Sequence, residues 1–550
     1  MWVFLSRCYN LCLALRGRRF KRRDAPLIGM CRTLSSVLRL LARGGHESPF
    51  RATLLGVALT ALSKLLGLVK NLALARFAGV GPIYDSFLVA LTVPGVIAGL
   101  VCSAIPVALV PLFLSTRHRE GDESAWKGVG AAFGTFLPLF ALASVVSFLF
   151  APQIVALVAP KLDPYRAYLS SYMSRNMSPL VFLWGALGLL QGVLRANGRI
   201  SLSQLGDPLI NLTMIAFLLL FFDLKPGFGL WGGYSTGLAL GVFALWAVAK
   251  GSFPHLRLRF APFDPFVRET MALIWPVFLA NGVGILNALV DRYFASGLPP
   301  GAISALSYAF LLRALPSDLL CGPLCNAFYS FASSSAARDD RDSLVVLTSR
   351  SFSSIVLALL PISIVLAVGS RELVELVFQR GNFDERATHL TAQALVFYAP
   401  GLLPQALWSL LSHLFWAHHD TKTPTLVASA ALLFNAGANA LLVGPMGHRG
   451  LALATSLSSL LGLLLVAAKV RRRFALPLRP LLVELLKVGL AALAALPVLL
   501  LSLGSPLLYL LSSPLFLLVC FSLGIALRSD GALLLLSRLK RMALILRGLG

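Results

Sequence analysis

Apolar runs about as long as a bilayer is thick recur along nearly the whole chain. About 20 consecutive apolar residues let an α-helix cross the hydrocarbon core, and the sequence contains fourteen such runs. The predicted spans are about 53–75, 85–114, 128–151, 168–194, 202–222, 228–250, 268–291, 303–334, 344–369, 389–417, 424–443, 449–470, 481–503 and 506–527. Membrane β-strands would give short alternating segments. The pattern therefore predicts an all-α polytopic membrane protein with about fourteen transmembrane helices.

The composition excludes a water-soluble enzyme. The 550 residues are 57% hydrophobic and 13% charged, whereas soluble domains average about 45–50% apolar and about 25% charged residues. Disordered chains are poor in apolar residues and are also excluded. The net charge of +25 would suggest nucleic-acid binding in a soluble domain. In a membrane protein, basic residues collect in cytoplasmic loops, so we expect the lipid bilayer and no nucleic acid as their partner.

Lys and Arg are concentrated in alternate loops of the predicted topology. A cytoplasmic N-terminus places the basic leader, the 250–268 loop and the 469–479 loop inside, and the outer loops are lighter in Lys and Arg except at 370–388. The positive-inside rule therefore predicts that both termini are cytoplasmic. The leader has no convincing cleavage site for a signal peptide, and either Met1 or Met30 could be the start.

Short motifs recur in the same order in the two halves of the chain. Phe77-Ala78-Gly79 resembles Phe294-Ala295-Ser296-Gly297, and Gly237-Leu238-Ala239-Leu240 returns as Gly450-Leu451-Ala452-Leu453. A separation of roughly 215–220 residues corresponds to six helices, and an even number inserts both copies in the same direction. The repeat predicts two parallel six-helix lobes plus two C-terminal helices, with a transport site between the lobes.

This organisation predicts six consecutive parts of the chain. They are a basic cytoplasmic leader (1–51), an N-lobe of helices 1–6 (52–250), a cytoplasmic linker (251–267), a C-lobe of helices 7–12 (268–473), helices 13–14 (474–528) and a basic cytoplasmic tail (529–550).

Several charged side chains lie inside predicted spans. A charge in hydrocarbon costs about 2.5–3.5 kcal/mol, so such a residue must face water or a partner. Lys64 and Lys70 lie in the first span, Asp85 opens the second, and Arg313 lies in the eighth. We interpret Lys64, Lys70 and Arg313 as the cationic lining of a water-filled cavity for an anionic substrate. Arg76, at a span end, is better explained by snorkelling.

A polar cluster could hold a small cation. Asn435 and Asn439 lie one turn apart on one face of the eleventh span, Thr455 lies in the twelfth, and Asp291 ends the seventh. Carboxylate, amide, hydroxyl and backbone oxygens suit Na⁺, whereas hydrogen bonding between helices is the alternative. The Cys and His residues lack metal-ligand spacing, and no P-loop, GxSxG or HExxH motif is present. We therefore expect no catalytic residues and no other cofactor.

A series of motifs spans about residues 52–470. The motifs include Ser63-Lys64-Leu65-Leu66-Gly67-Leu68-Val69-Lys70-Asn71, Ala75-Arg76-Phe77-Ala78-Gly79, Asp85-Ser86-Phe87, Val290-Asp291-Arg292, Phe378-Gln379-Arg380-Gly381-Asn382-Phe383, Asp420-Thr421-Lys422-Thr423-Pro424 and Gly450-Leu451-Ala452-Leu453-Ala454-Thr455-Ser456. In sequence and order they resemble the MurJ/MviN lipid II flippases of the MOP exporter superfamily.

The resemblance implies a fourteen-helix protein of the bacterial cytoplasmic membrane that moves an undecaprenyl-pyrophosphate-linked peptidoglycan precursor by alternating access. It implies that Lys64 and Lys70 occupy positions of cavity arginines that meet the pyrophosphate, and that Asp85 matches an important family aspartate. It also implies a Na⁺ site, in which Asn439 replaces an acidic ligand. The implied Na⁺ ligands are Asp291, Asn435, Asn439, the Leu451 carbonyl and Thr455.

Two family arginines are absent, because their positions fall on Ala98 and Leu311, although Arg313 follows two residues after the second. Lysine also lacks the planar, bidentate grip of arginine on phosphate. These departures leave lipid II and a related polyprenyl-linked glycan as alternative cargoes.

We expect a monomer in which Lys64, Lys70 and Arg313 hold the pyrophosphate. Asp85 and Arg76 would act at the outer gate, and the membrane potential or Na⁺ would drive the rocking of the lobes. A cation-coupled small-molecule antiporter of the same superfamily and a membrane-bound glycan ligase or polymerase are the alternatives. An antiporter of this kind is expected to have an acidic cavity, and a glycan ligase or polymerase is expected to have a large, charged outer loop.

Overall fold

The computed structural model describes residues 49–250, 256–474, 476 and 478–546. Most of the predicted leader and part of the predicted linker lie outside these residues, as does the side chain of Ala98. The described chain contains α-helices, two short 3₁₀ segments and one π-helical segment, and it contains no β-strand. The predicted all-α fold is therefore confirmed.

The first half of the described chain forms eight helices. They are α1 (Pro49–Ala78), α2 (Pro82–Glu120), α3 (Asp122–Leu149), α4 (Ala151–Val158), α5 (Pro164–Met177), α6 (Pro179–Ala196), α7 (Gly206–Phe221) and α8 (Pro226–Lys250). A 3₁₀ turn at Leu202–Gln204 leads into α7.

The second half contains the remaining helices of the described chain. They are α9 (Pro265–Ala295), α10 (Ala302–Pro316), α11 (Gly322–Ala337), α12 (Arg341–Val368), α13 (Ser370–Phe378), α14 (Glu385–Tyr398), α15 (Leu402–Ala417), α16 (Lys422–Met446), α17 (His448–Phe474), α18 (Leu478–Leu500), α19 (Pro506–Ala526) and α20 (Asp530–Leu546). The π-helical segment Ser317–Cys321 joins α10 to α11, and a 3₁₀ turn at Ala399–Gly401 joins α14 to α15.

The helices coincide with the predicted spans. Twelve helices or joined helices of the described chain are long and apolar enough to cross a membrane. The other two predicted spans coincide with α2 and α9, which have 39 and 31 residues. At 1.5 Å per residue, both are long enough to cross a bilayer.

Three predicted spans are interrupted rather than continuous. The fourth span breaks where Pro179 follows Ser178, the eighth passes into the π-helical segment after Pro316, and the tenth contains the 3₁₀ turn around Pro400. Proline lacks a backbone N–H and displaces the preceding turn of a helix, which accounts for the three positions. The hydropathy pattern does not register these breaks because each span is apolar on average.

Some backbone details of the two halves agree with the predicted repeat. Gly79, directly after α1, and Gly301, directly before α10, lie in the first turn of each half and have positive φ, at 58° and 97°. Gly198 after α6 and His419 after α15 also form a matched pair, with φ of 72° and 58°. Among the twelve candidate spans, the fourth span of each half, Pro179–Ala196 and Glu385–Ala417, is the most buried of its half. The chain thus forms two parallel six-helix lobes, followed by α18 and α19.

Part of the predicted tail is an ordered helix. The buried carboxylate of Glu484 on α18 accepts hydrogen bonds from the Ser529 hydroxyl (2.6 Å) and from the backbone N–H groups of Asp530 (3.0 Å) and Gly531 (2.9 Å). The first N–H groups of a helix have no partners within the helix. Glu484 therefore fixes the start of α20 against α18.

Candidate functional site

Asp85 joins the two lobes at the end of the bundle where α1 ends and α2 begins, here called the Asp85 end. Its carboxylate is fully buried and accepts hydrogen bonds from the backbone N–H groups of Gly301 (2.7 Å) and Ser304 (2.8 Å). The Ser304 hydroxyl donates a third hydrogen bond at 2.8 Å. Because a helix N-terminus carries unpaired N–H groups and a partial positive charge, an N-lobe carboxylate caps a C-lobe helix.

Arg166, near the start of α5, completes this buried network. Its Nη1 lies 3.3 Å from the Asp85 carboxylate, and its Nη2 donates to the Leu298 carbonyl at 2.9 Å. Its Nε donates to Asp163, which also caps α5 by accepting from the Arg166 backbone N–H. The hydrogen bond from Arg166 lowers the pKa of the Asp163 carboxyl below its ordinary value. The network thus ties α2 and α5 of the N-lobe to the loop before α10.

A second contact at the Asp85 end involves backbone atoms. The Asn382 N–H donates to the Arg76 carbonyl at 2.8 Å, and the Asn382 amide donates to the Phe77 carbonyl. A side chain at Gly79 would collide with the backbone of Asn382, and one at Gly381 would collide with that of Arg76. The exposed Arg76 guanidinium lies over the Phe77 ring. Arg76 is therefore at the predicted gate position, but its backbone makes the contact between the lobes.

Lys64 lies in a polar cavity between the lobes. Its Nζ lies 2.9 Å from an Asp318 carboxylate oxygen on the π-helical segment, and both side chains remain more than half exposed. The cavity has a volume of about 300 Å³ and is also lined by Ser317, Gln405 and Ser409; we call it the Lys64 cavity. Lys64 is fourteen residues before the end of α1, so it lies roughly 20 Å from the Asp85 end. Lys64 therefore lies in a cavity, and its role in binding the substrate stays a prediction.

Lys70 lies in different surroundings. It is half-buried within the N-lobe, where the carboxylate of Asp207 at the start of α7 attracts its ammonium group. Asp207 also interacts with Arg195. Lys70 does not line the Lys64 cavity. The structure therefore does not bring the two predicted lysines into one pocket, and the role of Lys70 in holding substrate stays a prediction.

Arg313 lies inside the C-lobe. It is 2% exposed, and its Nη2 donates to the Gly401 carbonyl at 3.1 Å and to the side-chain oxygen of Gln405. Its guanidinium carbon lies 5.6 Å from the centre of the Phe310 ring. It lines a cavity of about 510 Å³ within the C-lobe, which we call the C-lobe cavity. Gln405 lines both cavities and stands between Arg313 and the Lys64 cavity.

The residues of the implied Na⁺ site come together at the wall of the C-lobe cavity. The Asn439 side-chain nitrogen donates to Asp291 at 2.8 Å and to the Asn435 oxygen at 2.9 Å. The Thr455 hydroxyl donates to the Leu451 carbonyl at 3.0 Å. The Asn439 oxygen and the Asn435 nitrogen are buried and have no partner in the described part of the chain. The unpaired Asn439 oxygen and the other oxygens of this set are ligands suited to a small monovalent cation, whereas the Asn435 nitrogen is an N–H donor and cannot bind one.

Two residues of this arrangement, Arg166 and Gln405, are not predicted from the sequence. Arg166 lies in a polar stretch between two spans, where a basic residue is ordinary. Gln405 is one uncharged residue within a span. In neither case does the spacing indicate a partner in the other lobe or a second cavity.

Two lobes of six membrane helices that meet tightly at one end and enclose a polar cavity between them define a transporter of the alternating-access type. The family model described as lipid II flippase MurJ matches residues 74–520. The chain belongs to this family, whose members are transporters and not enzymes, and the resemblance of its motifs is confirmed.

Two relatives illustrate the similarity. The lipid II flippase MurJ of Burkholderia cenocepacia is 28% identical over 438 residues, which cover 77% of this chain and 84% of that protein. The probable lipid II flippase MurJ of Rhizobium tropici is 25% identical over 420 residues, which cover 75% and 79%.

Two solved structures share the fold. A lipid II flippase MurJ in an inward closed conformation has a TM-score of 0.74 and 22% identity, covering 86% of this chain and 99% of that chain. An inward-facing multidrug resistance MATE family transporter of the MOP superfamily has a TM-score of 0.63 and 14% identity, covering 75% and 94%. These matches show that the chain shares its fold with both proteins.

Proposed function

We propose that the protein moves a polyprenyl-pyrophosphate-linked cell-wall precursor, lipid II in the first instance, across the bacterial cytoplasmic membrane. The observation that carries this proposal is the pairing of a closed, buried gate at Asp85 with an open cavity at Lys64 on the same path between the lobes. The names of the relatives and the exposed ammonium group of Lys64 both support an anionic lipid-linked cargo.

The distribution of basic loops supports an orientation with both termini cytoplasmic and the Asp85 end facing outward. In that orientation, the closed end blocks the outer side, and the Lys64 cavity receives the headgroup from the cytoplasm. The prenyl chain would remain in the lipid, because it is as apolar as the bilayer. The chain would act as a monomer, since both halves of the path come from one polypeptide.

Lys64 is the residue that supports pyrophosphate binding best. Its ammonium group pairs with one carboxylate, Asp318, and the pair is open to the cavity. An exposed ion pair contributes about 0–1 kcal/mol, so a diphosphate with more charge can displace Asp318. Asp318 would then be released from the N-lobe, and the contact that it makes between the lobes would be lost.

Opening the outer side requires the Asp85 network to separate. Leaving a buried carboxylate and Arg166 without partners would cost about 3–5 kcal/mol, so separation must bring water to them. Substrate binding at Lys64 and loss of the Lys64–Asp318 contact would shift the lobes toward that state. The potential across the membrane would act on the charges that move.

Na⁺ coupling remains part of the proposal. Asp291, Asn435, Asn439, the Leu451 carbonyl and Thr455 would hold the ion, and it would supply positive charge beside the one carboxylate of the site. The amide of Asn439 already donates to Asp291 and Asn435, so the site can also be closed without an ion.

Depletion of the protein in its host, followed by analysis of lipid-linked intermediates, tests the function. We expect a polyprenyl-pyrophosphate-linked precursor to accumulate on the cytoplasmic side. Complementation with Lys64→Ala should fail while the variant still inserts in the membrane, and Lys64→Arg should complement. Accumulation of a polymerised glycan, or full complementation by Lys64→Ala, would contradict the proposal.

The antiporter alternative is less well supported. The MATE similarity concerns the fold, and the basic residue at the centre of the Lys64 cavity disfavours a cationic drug. Transport of a cationic dye by the purified protein in liposomes would be the observation in its favour.

A further inference from the structure

The C-lobe cavity is lined by more cationic than anionic side chains. Arg313 and Arg292 both line it, and Asp291 is the single acidic residue among those that do. Asp291 already accepts a hydrogen bond from Asn439. Within the described ranges, neither guanidinium has a carboxylate oxygen at ion-pair distance. Charged groups inside membrane proteins are normally paired, so this imbalance requires an explanation.

The hydrogen bonds of Arg313 leave its buried Nε donor unused. Its Nη2 binds the neutral oxygens of Gly401 and Gln405. Its Nε is buried and has no partner among the described residues. Arginine keeps its charge under all ordinary conditions and has five N–H donors and no acceptor. A buried guanidinium with only neutral partners and a free N–H is an incomplete site for an anion.

The remaining lining suits an anion in size and chemistry. Arg292 donates from Nη2 to the Ser307 hydroxyl at 3.2 Å, and Tyr398 lines the same cavity. A volume of about 510 Å³ falls within the range of small-molecule sites, roughly 300–1,000 Å³. Hydroxyl and guanidinium N–H groups are the donors that bind halides and oxyanions, and the bonds are strong because they are charge-assisted.

We propose that the C-lobe cavity binds a small inorganic anion, such as chloride or phosphate, against Arg313 and Arg292. This site is separate from the Lys64 cavity, from which Gln405 divides it. It does not depend on the identity of the transported lipid. The bound anion compensates the positive charge that the C-lobe carries within the membrane.

Equilibrium dialysis of the full-length protein in detergent, with radiolabelled chloride or inorganic phosphate as the probe, tests this proposal. We expect saturable binding of about one anion per chain for at least one probe. Arg313→Gln should abolish this binding. Arg313→Lys retains the charge but lacks Nε, and it should weaken binding about tenfold or more because one charge-assisted hydrogen bond is lost. Arg350→Gln, which removes an exposed arginine from α12, is the matched control and should bind as the parent does.

Lys64→Ala separates the two cavities. Binding that survives Lys64→Ala and is lost in Arg313→Gln supports a C-lobe site, even if transport fails. Binding that is lost in Lys64→Ala and kept in Arg313→Gln assigns the anion to the Lys64 cavity and overturns the proposal. The proposal is also overturned if neither probe binds saturably to the parent protein. If Arg313→Gln is not monodisperse, Arg292→Gln replaces it, with the same expected loss.

Discussion

The side-chain oxygen of Gln405 accepts a hydrogen bond from Arg313, and the same side chain lines the cavity that contains Lys64. Gln405 is therefore a wall between two chambers. One chamber lies between the lobes and the other within the C-lobe. This relationship explains why Arg313 and Lys64, expected to share one ligand, face different spaces.

Gln405→Ala should destabilise the protein by about 1–3 kcal/mol, because the buried Arg313 guanidinium loses an acceptor. Thermal unfolding in detergent would measure the loss. Gln393→Ala, on the more open side of α14, removes the same chemical group and should change the midpoint little. Equal changes in the unfolding midpoint for the two substitutions would show that the Arg313–Gln405 hydrogen bond does not stabilise the protein.

Asp85→Asn should weaken closure of the Asp85 end. The variant keeps the size of the side chain but removes the charge that faces Arg166 and the α10 N-terminus, and breaking a buried pair costs about 3–5 kcal/mol. Ala305→Cys, buried in the parent structure, would report opening through its reaction with a membrane-impermeant maleimide in a background without other cysteines. We expect faster labelling with Asp85→Asn. Asp223→Asn, at an exposed position after α7, serves as control, and unchanged labelling in both variants would count against a gate role for Asp85.

Asp163→Asn should produce a stability loss that depends on pH. Asparagine retains the helix-capping ability of aspartate, so the substitution isolates the charge that Arg166 faces. Because the hydrogen bond from Arg166 lowers the Asp163 pKa in the folded protein, its stabilisation is present above the ordinary Asp pKa and is lost as the pH falls through the lower folded value. The half-exposed carboxylate limits the effect to about 1 kcal/mol or less.

Unfolding midpoints at pH 7 and near pH 3 would measure this dependence. The difference between parent and Asp163→Asn should be larger at pH 7 and should shrink in acid. A difference that grows in acid would show that the folded pKa is raised instead.

Asn439→Asp should make the thermal stability of the protein depend more strongly on Na⁺. The new carboxylate would face Asp291, and two adjacent carboxylates require a cation or a proton. Thermal unfolding midpoints in NaCl, KCl and choline chloride would measure the effect, and we expect the midpoint to rise most in NaCl. Asp291→Asn should remove any Na⁺-specific rise, and Asn176→Asp on the exposed side of α5 controls for the added charge. Equal midpoints in Na⁺ and choline for Asn439→Asp would reject a cation site here.

The sequence could predict much of the fold because the lipid core imposes long apolar helices. The two lobes are predicted from repeated motifs, and the positive φ of Gly198 after α6 and of His419 after α15 agrees with that repeat. The family resemblance made Asp85 a gate candidate. Two of its partners, the backbone N–H groups of Gly301 and Ser304, carry no side-chain signature in the sequence.

The surroundings of the basic residues could not be predicted in the same way. Which way a membrane helix faces depends on its packing, since lipid and protein interior are both apolar. Arg313 comes just before Pro316 and the π-helical segment, where the helix changes its turn. A spacing rule for a regular helix therefore cannot place it. Lys70 is six residues from Lys64, yet it lies near Asp207 of the N-lobe and not in the Lys64 cavity.

At Gly79 and Gly381 the backbones of the two lobes are in contact, and even a methyl group on either residue would collide with the backbone of the other lobe. Such a backbone contact allows two arrangements of the lobes. They are either in full contact or separated by at least the thickness of a side chain, so a partly open state that leaks ions is disfavoured. Tight sealing of the membrane during each cycle would then depend on two residues without side chains, and any substitution at them should cost the cell its ion gradients or its transport.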